Sequence, residues 1–373
     1  METFDVLILG AGIVGAATAY ECTRAGMRVA VVEPGVPGGG ASAAGMGHLV
    51  VMDDSPAQLA LTRYSRELWR ELRNALPPEV EYEERGTIWI AVDADEMAEA
   101  HSKKEKYTEC GVTAEILDEP NVREAEPCLR AGLAGGLLVR DDGVIYPPSA
   151  VAYFLACAQQ NGAALIRGKR PIHVGAGEIR LEDSSRLRAS HIVIATGTDT
   201  SLCPWLNIQP RKGHLVITDR YPGVVRHQLV ELGYLKSAHT LTSDSVAFNL
   251  QPRRTGQLLI GSSRQFGSTS AGVDPSMLRR MLDRAVDYVP ALRGLCSIRV
   301  WTGFRAATPD KLPYIGPTHD SSVLLAMGFE GLGITNAPGA ARLVLHHLIG
   351  LQVPIDPSAF LPSRKPIGEE SHA

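Results

Sequence analysis

A glycine turn, Gly10-Ala11-Gly12-Ile13-Val14-Gly15, stands directly behind the apolar run 4–9 and constrains this chain more than any other feature. The spacing G-x-G-x-x-G is a weak signal alone; its flanks give it meaning. Ahead of it, Asp5-Val6-Leu7-Ile8-Leu9 predicts a strand, and behind it residues 13–25 predict a helix. Arg28-Val29-Ala30-Val31-Val32 then predicts a second strand that closes on Glu33 and Pro34. In such a unit the glycines let the backbone approach a pyrophosphate. The helix N-terminus offers unpaired N–H groups and a positive dipole end, and the acidic residue accepts hydrogen bonds from a ribose diol. Gly10, Gly12, Ile13, Val14, Gly15, Glu33 and Pro34 are thus candidate dinucleotide contacts. The plain alternative is a glycine-rich turn in an ordinary βαβ unit.

The next segment, Gly35-Val36-Pro37-Gly38-Gly39-Gly40-Ala41-Ser42-Ala43-Ala44-Gly45-Met46-Gly47-His48, has almost no side-chain bulk. It suits backbone lying against a large flat ligand, which a nicotinamide enzyme does not need. Later, Ser190-His191-Ile192-Val193-Ile194-Ala195-Thr196-Gly197 reads as a buried strand ending in a tight turn. Later again, Val323-Leu324-Leu325-Ala326-Met327-Gly328 runs into Phe329-Glu330-Gly331-Leu332-Gly333-Ile334-Thr335 and an apolar helix. In their order and spacing, these motifs resemble the FAD-dependent amino-acid and amine oxidoreductases of the glycine oxidase and D-amino-acid oxidase type. The resemblance covers residues 5–350. It implies FAD, and contacts to it from Ala41, Ser42, Gly45, Met46, Gly47, Val174, Thr196, Gly197, Gly328, Glu330, Gly331, Leu332, Gly333, Ile334 and Thr335. Some relatives tether the flavin through a cysteine near the C-terminus. No cysteine follows Cys296, so non-covalent FAD is expected.

Composition narrows the function classes. With 373 residues the chain can bury more than one domain's core. A net charge of −4 gives no long-range reason to expect nucleic acid. The basic clusters at 167–170 and 253–254 read as solvated loops. Six scattered cysteines without C-x-x-C argue against a zinc site or a disulfide framework, and no metal is expected. The apolar stretch 6–20 is too short for a membrane span and carries the glycine fingerprint. A soluble, cytoplasmic protein is expected.

The fold class expected is mixed α/β: a parallel, Rossmann-like FAD domain of the glutathione reductase type, interleaved with an antiparallel-sheet substrate domain. Residues 1–80, 145–210 and 300–365 are assigned to the first, 81–144 and 211–299 to the second, and 366–373 to a disordered tail. Helices are expected over 57–76, 95–110, 149–161 and 274–289. Strands are expected over 86–92, 164–166, 171–174, 211–218, 246–251 and 257–261, with a hairpin turn at Pro252-Arg253-Arg254-Thr255-Gly256.

Flavin amine oxidation asks for an arginine that anchors the substrate carboxylate, not for a triad. In Trp301-Thr302-Gly303-Phe304-Arg305-Ala306-Ala307-Thr308-Pro309-Asp310, Arg305 falls on the position whose arginine pairs with that carboxylate in the resembled family. A salt bridge to Asp310 or a bond to a C-terminal carbonyl is the structural alternative. Three departures from glycine oxidase stand out. Its second carboxylate-binding arginine falls at Gly331, its active-site tyrosine at Asn249, and a pocket methionine at Arg264. Arg264 either supplies a replacement cation or faces solvent at a strand end. His48 either hydrogen-bonds flavin or substrate, or packs in a loop. Glu330 is unusual beside a site for an anion, and pairs there with a cation or with the substrate's amine.

These departures look more like the relatives acting on secondary or cyclic amines, D-hydroxyproline dehydrogenase and the flavoprotein subunit of hydrogen cyanide synthase. The expected function is oxidation of the C–N bond of a small amino acid or secondary amine to an imine, with hydride passing to flavin N5. Glycine, sarcosine, iminodiacetate or a D-proline-like compound would serve as substrate. The alternative is a flavoprotein subunit of a multi-subunit dehydrogenase with little activity alone. Homo-oligomers or partner electron-transfer subunits are open; a tRNA-modifying or NADPH-linked flavoprotein lacks its basic patch or second fingerprint.

Overall fold

The structure, a computed structural model, describes residues 3–233 and 244–364. The tail expected over 366–373 lies outside the described residues. The chain divides into two compact units: Met1–Val80, Ile145–Pro210 and Phe304–Ala373 form the first, and Glu81–Val144 with Arg211–Gly303 the second.

The first unit is built on a parallel sheet. Its strands run in the order Tyr314–Pro317, Val323–Met327, Arg186–Ile194, Thr3–Leu9, Val29–Glu33, Ala164–Arg167. All neighbours are parallel except the edge strand Tyr314–Pro317. The central strands are apolar runs because both faces of the sheet are covered: helices pack on one, and on the other Leu7, Leu9 and Ile192 pack with Ile179, Leu181 and Leu206 of an antiparallel arm and a following loop. Helix Ile13–Arg24 packs against Gly333–Ile349 and Pro147–Gln160, and Pro56–Leu72 also packs on Gly333–Ile349. There a Cβ on Gly339 would lie 2.2 Å from Ser65 Oγ, so the two helices meet through a glycine. Strands Pro171–Gly175 and Glu178–Leu181 form an antiparallel arm beside Arg186–Ile194.

The second unit holds a mostly antiparallel sheet in the order Ser297–Ala307, Gln209–Arg220, Gln257–Arg264, Ser245–Pro252, Gln228–Glu231, Thr87–Ala91, Gly135–Val139, Glu115–Asp118. Gln228–Glu231 and Thr87–Ala91 make its parallel pair. Helix Pro275–Tyr288 covers one face, capped by Asp274, whose carboxylate accepts from Ser276 N (2.9 Å) and Met277 N (3.2 Å). Phe248, Leu250, Leu258 and Ile260 join Met281, Ala285 and Tyr288 in the core beneath it. The Phe248 ring stacks on Tyr288 at 4.4 Å between centroids.

The expected hairpin forms between Ser245–Pro252 and Gln257–Arg264. The reading of 253–254 as a solvated loop is corrected at Arg253, which is buried. Its guanidinium pairs with Glu81 Oε2 at 2.6 Å and reaches Gln251 Oε1 at 3.4 Å. Arg254 is exposed, as are Arg167 and Arg170.

One buried ion pair clips the end of the first unit. Arg364 Nε donates to Asp310 Oδ2 (2.7 Å) and Nη2 to Oδ1 (2.9 Å). Burial alone would raise the Asp310 pKa, but the hydrogen bonds and charge of Arg364 outweigh it and hold the carboxyl below its usual range. A depressed folded-state pKa adds stability above the unfolded carboxylate range and loses it as pH falls through the folded value. Asp310→Asn should therefore cost about 3 kcal/mol at neutral pH, with the difference from wild type shrinking as the pH is lowered toward 3–4 in urea titrations.

Candidate flavin cradle and substrate residues

Backbone-to-backbone approaches assemble the cradle in the first unit. A Cβ on Gly10 (φ +104°) would lie 2.5 Å from Ala195 O, and one on Gly15 2.0 Å from Gly10 O. The protein's own packing therefore demands both glycines. Gly12 differs: a Cβ there would meet only Ser42 Oγ, at 3.5 Å, an ordinary contact. It is the N-cap of helix Ile13–Arg24 and caps it with no side chain. Of the first-turn amides, Ile13 N donates to Ser42 Oγ at 3.0 Å. Glu33 is pinned by two backbone amides, Ala11 N on Oε2 (2.8 Å) and Gly35 N on Oε1 (2.7 Å). A carboxylate has about four acceptor sites, so both oxygens keep capacity for a diol.

The run after Glu33 folds onto the first turn of helix Gly333–Ile349. A Cβ on Gly45 would lie 2.6 Å from Ile334 Cδ1, and one on Gly47 (φ +92°) 1.9 Å from Ile145 O. Thr335 Oγ1 donates to His48 O at 2.8 Å, and Trp69 Nε1 donates to Thr335 O at 3.0 Å. Ala41 and Ser42 lie on the short helix Ala41–Ala44, and Met46 is buried. Thr196 and Gly197 (φ +66°) turn the chain away behind Ala195. The structure thus brings together the glycine turn, residues 41–48, 195–197 and 328–335. Val174 sits on the antiparallel arm, paired with Ile179.

Arg305 belongs to this assembly. Ala306 pairs with Glu330 through Glu330 N to Ala306 O at 2.8 Å. A Cβ on Gly331 would lie 3.4 Å from Arg305 Nε, so the Arg305 side chain runs along the space that a side chain at 331 would enter. Asp310, the alternative partner for Arg305, is engaged in the bidentate pair with Arg364. Glu330 holds the left-handed conformation at φ +52°, which costs a residue with a long side chain about 1 kcal/mol and collects at functional sites.

The other two candidates lie in the second unit. Asn249 sits opposite Gly261, and its Oδ1 is buried without a hydrogen-bond partner among the described residues. Arg264 is only 8% exposed, so the reading as a solvent-facing strand end is corrected. Ser262, which the sequence does not single out, is 4% exposed, and its hydroxyl also lacks a described partner.

Comparison with known proteins identifies the family. The family model described as FAD dependent oxidoreductase (DAO) matches residues 5–346. The chain belongs to that family. The glycine oxidase of Geobacillus kaustophilus is 26% identical over 358 residues, covering 91% of this chain and 92% of the relative. Its crystal structure superposes with a TM-score of 0.87 and 25% identity, over 98% of this chain and 100% of that one. Hydrogen cyanide synthase subunit HcnC of Pseudomonas aeruginosa is 24% identical over 417 residues, covering 97% and 96%. The protein is thus an FAD-dependent oxidoreductase. Among the described residues, no group of acidic, histidine and cysteine side chains could hold a metal ion, and no helix is long and apolar enough to cross a membrane.

The DAO-family residues fit FAD on the structure's own terms. Gly12 is a glycine that no protein atom requires, at a helix N-terminus facing where a pyrophosphate would come close. Gly12→Ala should therefore fold with a melting temperature close to wild type for the FAD-free protein, yet release FAD at least tenfold more readily on dilution. Gly15→Ala should instead lower the FAD-free melting temperature. Thermal unfolding and flavin fluorescence together separate the two roles.

Proposed function

We propose that this flavoprotein oxidises the C–N bond of a small amino acid or N-substituted glycine to an imine, which water then hydrolyses. The observation that carries this reading is Arg305 lying along Gly331 beside the cradle. Its planar fork suits a carboxylate bound by two parallel hydrogen bonds. Gly331 leaves that fork room. The chemistry FAD supplies when bound is acceptance of a hydride from the carbon between amine and carboxylate. The chain's contribution is orientation: Arg305 fixes the carboxylate, and with it the C–H bond to be broken. The N-terminus of helix Gly333–Ile349 adds a positive field at the cradle, favouring negative charge that accumulates there. Arg264 and Asn249, on the second unit's sheet, stay candidate substrate contacts, and His48 is assigned to the cradle's edge. FAD is held without a covalent link, and the scattered cysteines support a cytoplasmic setting.

A second reading has one specific support: a relative of similar length is named as a synthase subunit. On that reading the chain is the flavoprotein subunit of a multi-subunit dehydrogenase and turns over slowly alone.

The test is anaerobic mixing of the FAD-loaded protein with glycine, sarcosine, iminodiacetate, D-proline and cis-4-hydroxy-D-proline while following loss of the visible flavin absorbance. Bleaching by at least one is expected, and admitting air then separates oxidase from dehydrogenase. Bleaching by none would overturn stand-alone amine oxidation. For the substrate that bleaches, Arg305→Gln should lower kcat/KM by roughly 30- to 1,000-fold, the loss of a partner to a desolvated charge. An unchanged value would remove Arg305 from the site.

A further inference from the structure

The basic cluster at 167–170 divides by what its members hold. Lys169 pairs with Asp183, and Arg170 Nη1 with Asp199 Oδ2 at 3.2 Å. Arg167 is exposed and has no ion-pair partner among the described residues. Its place is nonetheless fixed. Arg167 ends strand Ala164–Arg167 as the register partner of Glu33, and Gly168 N donates to Glu33 O at 2.9 Å. Side chains along a strand alternate between faces. Ala30 and Val32 belong to the core shared with the antiparallel arm, and Ala164 and Ile166 pack on it. Glu33 and Arg167 therefore project to the opposite face, that of helix Ile13–Arg24. Partners on adjacent strands lie about 4.8 Å apart, yet the carboxylate does not turn to the guanidinium. Its oxygens face the amides of Ala11 and Gly35 instead.

The strands that end here set a direction. Strand Thr3–Leu9 leads into the glycine turn, Val29–Glu33 is its neighbour, and Ala164–Arg167 is the next strand out. All three belong to the first unit. A pyrophosphate at the turn and a ribose diol on Glu33 are thus one strand apart. In a nucleotide the phosphate-bearing carbon and the base leave the ribose on opposite sides of the ring oxygen. The base therefore continues away from the pyrophosphate, and the next side chain along the carboxyl ends of the strands is Arg167. A guanidinium is planar and weakly hydrated, and it lies flat on an aromatic face as an ammonium does not.

Resting on the reading of Glu33 as the acceptor for the ribose diol, we propose that Arg167 holds the adenine of FAD. Glu33 takes the sugar, and the Arg167 guanidinium stacks on the base. Arg167 thereby helps this chain select FAD over FMN, which has no adenosine. The role asks for the planar fork and not only for the charge, which sets Arg167 apart from a solvated surface arginine.

The test strips FAD from the full chain and measures the rebinding of FAD and of FMN by titration calorimetry. Wild type is compared with Arg167→Ala, Arg167→Lys and Glu33→Gln. Arg167→Ala should weaken FAD about tenfold, hold FMN as wild type does, and keep the melting temperature of the FAD-free protein. Arg167→Lys keeps the charge and loses the plane, so it should stay at least about threefold weaker than wild type for FAD. An unchanged FAD affinity in Arg167→Ala would overturn the proposal. So would full recovery in Arg167→Lys, or an equal loss for FMN and FAD. Glu33→Gln separates the proposal from the reading it rests on. If it weakens FAD while Arg167→Ala does not, the ribose assignment stands and Arg167 alone leaves the site. If neither variant weakens FAD, the course of the adenosine along these strands falls with the proposal.

Discussion

Backbone atoms that touch where no Cβ stands hold the candidate flavin cradle together. Gly10 brings the first strand against Ala195, and Gly15 brings the first helix against Gly10 itself. A methyl at either position would collide with a main-chain oxygen, which cannot swing aside as a side chain can. With those approaches made, the amide-rich end of helix Ile13–Arg24 lies at the tip of the parallel sheet. Everything placed there later depends on it: Ser42 on the Ile13 amide, Glu33 on the Ala11 amide, and the first turn of helix Gly333–Ile349 against Gly45.

Charge is handled differently in the two units. In the first, Asp310 and Arg364 satisfy one another and tie the segment at Arg364 down, which leaves Arg305 outside that pair. In the second, Glu231 is held by Arg284 and the Tyr288 hydroxyl (2.8 Å), while its Oε1 accepts from Phe248 N at 2.8 Å. That knot fixes the strand next to Asn249 from the helix side. The Glu231–Arg284 ion pair therefore lies under the sheet, and Asn249, whose Oδ1 has no described partner, lies on its other face. Buried polar atoms are costly unless something pairs with them.

The parts of the fold written in local spacing were legible. The glycine fingerprint, the acidic close of the second strand, the hairpin at 252–256 and the helix over Pro275–Tyr288 each depend on residues within a few positions of one another. Arg253 was misjudged because its partner, Glu81, is 172 positions away, and nothing near a hairpin turn announces such a pair. Ser262 went unnoticed for a related reason. By simple alternation it belongs with Ile260 beneath the helix, and the contacts of Ser263 with His214 and of Gln265 with Asp274 turn it outward. Arg305 was legible through family resemblance, yet its course along Gly331 follows from a bridge between strand and loop that no periodicity encodes.

The Thr335 hydroxyl that grips the His48 carbonyl joins residues 287 positions apart, and Trp69 reaches nearly as far to the same turn. On the ribosome, His48 must wait for 287 further residues to be added before its partner Thr335 emerges. Contacts of such sequence separation form late and slowly. The wall supplied by residues 41–48 thus stands without its opposing half until Thr335 has been made.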